Sequence, residues 1–209
     1  MLDVHPKDMA AAQLTAGSDR PSAAEAEQAV RTLIRWAGDD PGREGLRDTP
    51  ARVVKAYAEW FAGYGQDAGA VLARTFGETG GYSDVVLLRD IALTSTCEHH
   101  MAPIRGVAHV AYLPGERIVG LSKLARLVEL FGRRLQVQER LTVEIAQALN
   151  RHLKPRGVAV AIEATHDCMS SRGVRQHGGV MVTRSLTGMF ETDPWRGEVL
   201  DLLGGGPSR

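Results

Sequence analysis

Cysteine is nearly absent from this chain: Cys97 and Cys168 are the two in 209 residues. That is too few for a disulfide framework. Charge of one sign is also missing, because 25 Lys and Arg are matched by 25 Asp and Glu. Without a global basic field, sequence-independent binding to nucleic acid or to an anionic membrane is not expected. No stretch approaches the ~20 apolar residues of a membrane-spanning helix. The opening residues, Met1 to Gln13, have neither the basic start nor the apolar centre of a signal peptide. Aromatic residues make up 5%, and no internal repeat or low-complexity tract is present. These absences leave a soluble, globular, cytoplasmic protein. Its length suits one well-cored domain with an appended element, or two small domains. The 23 glycines predict many turns.

What is present is concentrated at the two cysteines. Each has histidine beside it, in Cys97-Glu98-His99-His100 and in His166-Asp167-Cys168. Two thiolates and an imidazole form the donor set that zinc prefers, combining soft sulfur with borderline nitrogen. Cys97 and His100 are separated by two residues, so one tight turn can aim both at one ion. Cys168 supplies a third ligand from a distant segment. Three protein ligands leave a fourth position for water, the mark of a catalytic site. The simpler alternatives are a disulfide, two inert buried thiols, or a closed structural site with His99 or His166 as fourth ligand. The sequence leaves open which of the adjacent imidazoles ligates, although the two-residue spacing favours His100.

Periodicity sets out the rest. Ser22 is a plausible N-cap for a helix running to about Ala37, with Val30, Leu33, Ile34 and Ala37 as its apolar stripe. Thr49-Pro50 starts a second helix as capping residue and N1 proline, burying Val53, Val54, Tyr57 and Phe61. From about residue 82 the pattern changes. Asp84–Thr94 and Ile104–Leu113 predict strands, Leu121–Gly132 and Val137–Leu153 helices, and Gly157–His166 and Val180–Phe190 two more strands. The order ββααββ behind a helical arm is an α+β pattern. It divides into a tail (1–20), a helical N-terminal arm (21–80), a catalytic domain (81–203) and a C-terminal tail (204–209). Val158, Val160, Ile162, Ala164 and His166 share a strand face, and Cys168 keeps that parity if the strand continues.

Several segments, in this order, resemble the GTP cyclohydrolase I family. They are Glu44–Val53, Ser95–His100, Gly120–Arg126, Gln136–Thr142, His166–Cys168 and Arg172–Arg175. The resemblance runs from about residue 22 to 203. It implies the tunnelling fold, in which an antiparallel four-stranded sheet with two helices closes with its neighbours into an oligomeric barrel. It further implies a homo-oligomer, a decamer of two pentamers with active sites at subunit interfaces, and Zn2+ as cofactor. Closure would also suit a four-stranded sheet with two edges to protect.

The reaction so implied takes GTP and water to 7,8-dihydroneopterin triphosphate and formate, the first step of a pterin or tetrahydrofolate pathway. Cys97, His100 and Cys168 would hold the metal, His99 would protonate purine N7, and His166 would serve as acid-base catalyst for ring opening. Lys123 and Arg126, three apart on a helix start, share a face that suits a polyphosphate, and the helix N-terminus adds to the field. By resemblance Arg172 joins them, and Ser122 assists the later carbohydrate rearrangement as well as binding. Glu139 suits guanine, whose N1–H and exocyclic amine offer a fork that adenine lacks, with Gln138 assisting. His5, His109, His152 and His177 match no catalytic role. The competing readings are another tunnelling-fold pterin or deazapurine enzyme, or a non-catalytic nucleotide-binding relative.

Overall fold

The computed structural model describes residues 20–77 and 80–204. The expected tails, and His5 with them, lie outside the described residues save for Arg20 and Gly204. The chain divides into two compact units, one ending at Tyr64 and the other beginning at Gly65.

The first unit holds α1 (Ala23–Trp36) and α2 (Thr49–Trp60). Ser22 caps α1 as the sequence predicts: its hydroxyl accepts from Glu25 N at 3.3 Å, and Glu25 Oε2 accepts from Ser22 N at 2.8 Å. This reciprocal box satisfies two donors that the first helical turn leaves unpaired. The cap of α2 is Asp48, not Thr49, and it makes no side-chain capping bond; Pro50 sits in the first turn. The apolar stripes identify both helices but overstate their burial. Within this unit α1 buries no residue, with Leu33 62% and Trp36 85% exposed, and α2 buries only Pro50. A pair of helices has too little mass to close a core around two stripes. Tyr57 and Phe61 meet edge to face at 5.2 Å.

The second unit runs α3 (Ala68–Leu72), β1 (Thr75–Phe76), β2 (Val86–Cys97), β3 (Pro103–Leu113), β4 (Ile118–Val119), α4 (Leu121–Gly132) and β5 (Leu135–Gln136). It continues with α5 (Gln138–Leu153), β6 (Gly157–His166), α6 (Asp167–Ser170), β7 (Met181–Gly188) and α7 (Trp195–Gly204). The order ββααββ is therefore observed, and the four long strands β2, β3, β6 and β7 pair antiparallel. The sheet order is β5-β2-β3-β6-β7, with the two-residue β5 parallel to the end of β2. Helices α4 and α5 cover one face, where Leu124, Leu127, Leu141, Ile145 and Leu149 meet Val158, Val160 and Ile162 in the main core. On the opposite face Ala111, Ala159 and Ala161 pack with Phe190 and with Val199 and Leu203 of α7. Alternate residues of β6 thus enter different clusters, as the pleat requires.

Two backbone features bear on the site. A Cβ on Gly106 would lie 1.9 Å from Glu163 O and 2.6 Å from Ala164 Cα, so only glycine lets β3 and β6 approach here. The same ladder pairs Ile104 with His166. Between Leu88 and Ile91 the β2–β3 register shifts, and Asp90 takes φ 56. The buried His109 accepts from Asp90 N through Nδ1 at 3.1 Å, a structural role in keeping with its lack of a catalytic one. No described helix is long and apolar enough to cross a membrane.

Candidate active site

Strand β2 ends on Cys97, and the chain turns at once into β3. Met101 N donates to Cys97 O and Cys97 N donates to Ala102 O, each at 2.8 Å. This short hairpin, with Met101 at φ 52, carries Cys97 and His100 on one tight turn. Cys168 arrives from the far side of β3. The strand does not continue to it: β6 stops at His166, and Cys168 lies on the single-turn α6. The strand parity expected for Cys168 is thus replaced by helical geometry.

The ligand atoms of Cys97, His100 and Cys168 lie within 4.8 Å of one another. Cys97 is buried, Cys168 half-buried and His100 exposed, so the cradle opens on the imidazole side. Burial pushes the Cys168 thiol up, and the neighbouring Cys97 sulfur pushes it the same way. A divalent cation between the sulfurs would reverse that balance, since coordination removes the thiol proton. Arg172 Nη1 stands 3.1 Å from His100 Nε2. A guanidinium can only donate, so this contact uses the Nε2 lone pair, and a metal bound at that nitrogen would displace it. The donor set and its spacing fit a metal ion.

A network outside the ligand set fixes the turn. Glu98 N donates to Gln136 O at 3.0 Å. The Glu98 carboxylate also pairs with Arg140 on α5. Arg140 Nε donates to Gln136 Oε1, and its Nη2 to Leu135 O, each at 3.1 Å. The metal-ligand turn, β5 and the start of α5 are thereby held as one piece. On α6, the Asp167 carboxylate accepts from Arg105 Nη1 of β3 at 2.7 Å, beside Cys168.

The remaining residues fall into three groups. His99 is exposed beside the ligand turn, its ring perpendicular to that of His100 at 6.4 Å between centroids. Ser122, Lys123 and Arg126 occupy the start of α4, whose N-cap, Gly120, offers no side chain. The Lys123 and Arg126 side chains have no ion-pair partner among the described residues. Glu139 is exposed in the first turn of α5. Gln138 differs from expectation: its side chain is 1% exposed, and Oε1 lies 2.8 Å from His166 Nε2. Burial pulls the His166 pKa down, and the nearby Glu139 charge opposes the shift. His166 also lines a cavity of about 280 Å³ with Thr165, Met169, Gly178, Val180 and Met181. Sequence reasoning missed Arg140, Glu98, Thr142 and Thr183. A threonine on the apolar face of α5, one turn after Gln138, was the visible signal.

An α+β sheet protein with an open cysteine–histidine cradle at one sheet end is the class that this fold and site define. The profile of the GTP cyclohydrolase I family matches residues 26–203. The chain is 56% identical over 186 residues to GTP cyclohydrolase 1 of Allorhizobium ampelinum, covering 89% of this chain and 92% of that one. It is 58% identical over 177 residues to GTP cyclohydrolase 1 of Sinorhizobium fredii, covering 85% and 86%. The chain belongs to the GTP cyclohydrolase I family.

Proposed function

We propose that this protein is a zinc-dependent GTP cyclohydrolase I, converting GTP and water to 7,8-dihydroneopterin triphosphate and formate in the cytoplasm. The observation that carries this reading is the convergence of Cys97, His100 and Cys168 to within 4.8 Å in a chain of that family. Cys97, His100 and Cys168 would hold the zinc, which would supply a Lewis acid for activating the water that adds to guanine C8. His99, exposed beside the ligand turn, donates a proton to N7 and makes C8 electrophilic. His166 moves protons during imidazole and ribose ring opening, and Ser122 assists the later rearrangement. Lys123, Arg126 and Arg172 hold the triphosphate, with Ser122 at the α4 terminus, where unpaired backbone N–H groups favour anions. Glu139 accepts from guanine N1–H and its amine. Gln138 serves the substrate through His166, since its own amide is engaged within the protein.

Residues 81–203 form the catalytic domain in this reading and 21–80 the arm. The working unit is a homo-oligomer, a decamer of two pentamers with active sites at subunit interfaces. The half-exposed stripes of α1 and α2 are in keeping with that assembly.

The test is formate release from GTP by purified, zinc-loaded protein, with a chelated sample alongside. Metal-dependent release with a new pterin chromophore is expected. A folded, zinc-bearing protein that releases no formate would refute the assignment.

A further inference from the structure

Histidine has two ring nitrogens, and the surroundings of His166 distinguish them. Gln138 Nε2 lies 3.1 Å from Ile162 O, 3.0 Å from Met181 O and 3.2 Å from Thr183 Oγ1. Backbone carbonyls only accept, so the amide atom that faces two of them must carry the hydrogens. Turning the amide over would set Oε1 against both carbonyl oxygens with no hydrogen between them, the arrangement buried groups avoid.

The hydroxyls support the same direction. Thr142 Oγ1 donates to Gln138 O at 2.7 Å and lies 2.7 Å from Thr183 Oγ1. With the Thr142 proton on that carbonyl, Thr183 supplies the proton between the two hydroxyls. A lone pair of Thr183 Oγ1 then remains for Gln138 Nε2. The two amide hydrogens are thus shared among three acceptors, Ile162 O, Met181 O and Thr183 Oγ1, all on the Nε2 side.

Gln138 Oε1 is therefore the atom presented to His166 Nε2, at 2.8 Å. An amide oxygen cannot donate, so neutral His166 carries its hydrogen on Nε2 and its lone pair on Nδ1. That Nδ1 has no hydrogen-bond partner among the described residues.

We propose that Gln138, oriented by Thr183 and Thr142, is the positioning residue that holds the His166 ring and fixes its Nε2–H tautomer. Its importance for turnover rests on the acid-base role given to His166 above.

Two measurements on the zinc-loaded protein decide the matter. In ¹⁵N spectra of histidine-labelled protein, neutral His166 is expected to show a protonated Nε2 and an unprotonated Nδ1; the opposite tautomer would overturn the proposal. Gln138→Met should shift that signal towards a mixture while zinc content is unchanged. Gln138→Met should also lower kcat for formate release by about tenfold to a hundredfold with KM for GTP little changed, the scale of a misplaced catalytic group. A kcat within about threefold of the wild type would refute the positioning role. Absence of formate from the wild type itself would refute the cyclohydrolase reading, while the spectra would still decide the tautomer. Should Gln138→Met fail to fold, Thr183→Val, which removes one of the groups that orient the amide, takes its place, and the wild-type spectrum still decides the tautomer.

Discussion

Arg140, on the first turn of α5, grips the carboxylate of Glu98 inside the turn that carries Cys97 and His100. It touches no ligand atom, yet it ties the ligand turn to the helix that bears Gln138 and Glu139. Partners of this kind orient a metal site, and their loss commonly lowers metal affinity by roughly 10–100-fold. Arg140→Met is expected to weaken zinc binding by about that factor with the far-ultraviolet spectrum unchanged. Competition against a chromophoric chelator measures it, and unchanged affinity would show that the turn holds its shape unaided.

The long elements were legible because burial imposes a period on them. The strands at residues 104–113 and 157–166 alternate between two clusters, and Leu141, Ile145 and Leu149 repeat at helical spacing on α5. Elements of two to five residues have no period to detect. So β5 and α6 went unseen, although one ties down Cys97 and the other carries Cys168. The metal ligands were legible because cysteine is scarce here and histidine adjoins both copies. Gln138 was legible only as a polar residue at a helix start. What its amide does depends on Ile162, Met181 and Thr183, more than 20 positions away, which pairing alone brings near. The arm helices show the converse: a clear stripe forms the helix but leaves Leu33 and Trp36 exposed within their unit.

Cys168→Ser replaces a soft thiolate with a hard, poorly acidic hydroxyl at a half-buried ligand position. Loss of stoichiometric zinc together with formate release is expected, matching chelation of the wild type. The core of the second unit lies among α4, α5 and the sheet, so thermal unfolding should remain cooperative. A metal-free variant with full activity would remove zinc from the assignment.

His99→Ala should separate metal binding from proton delivery. The His99 side chain is 64% exposed and lies outside the cluster formed by Cys97, His100 and Cys168. Zinc content should stay stoichiometric while formate release falls by about 10²–10⁴-fold, the usual contribution of a positioned acid or base. Near-normal release would refute its role at N7.

Lys123→Ala and Arg126→Ala each remove a cation that has no ion-pair partner among the described residues, so little folding stability depends on them. Their effect should appear in KM for GTP and in its salt dependence, because exposed charges act through a screened field. Steady-state kinetics across a salt series tests this, and a KM that responds neither to substitution nor to salt would place the triphosphate elsewhere.

Glu139→Ala addresses the base. A hydrogen bond to a charged acceptor contributes ~1.5–3 kcal/mol, so loss of the carboxylate should raise KM for GTP by roughly 10–100-fold. Discrimination should change as well, since the fork of N1–H and exocyclic amine is what separates guanine from adenine. Binding of GTP and ATP to zinc-loaded wild type and variant, compared by calorimetry, gives both quantities. A variant that binds GTP more weakly yet keeps the full preference over ATP would show that Glu139 contributes general affinity, with base recognition residing in another group.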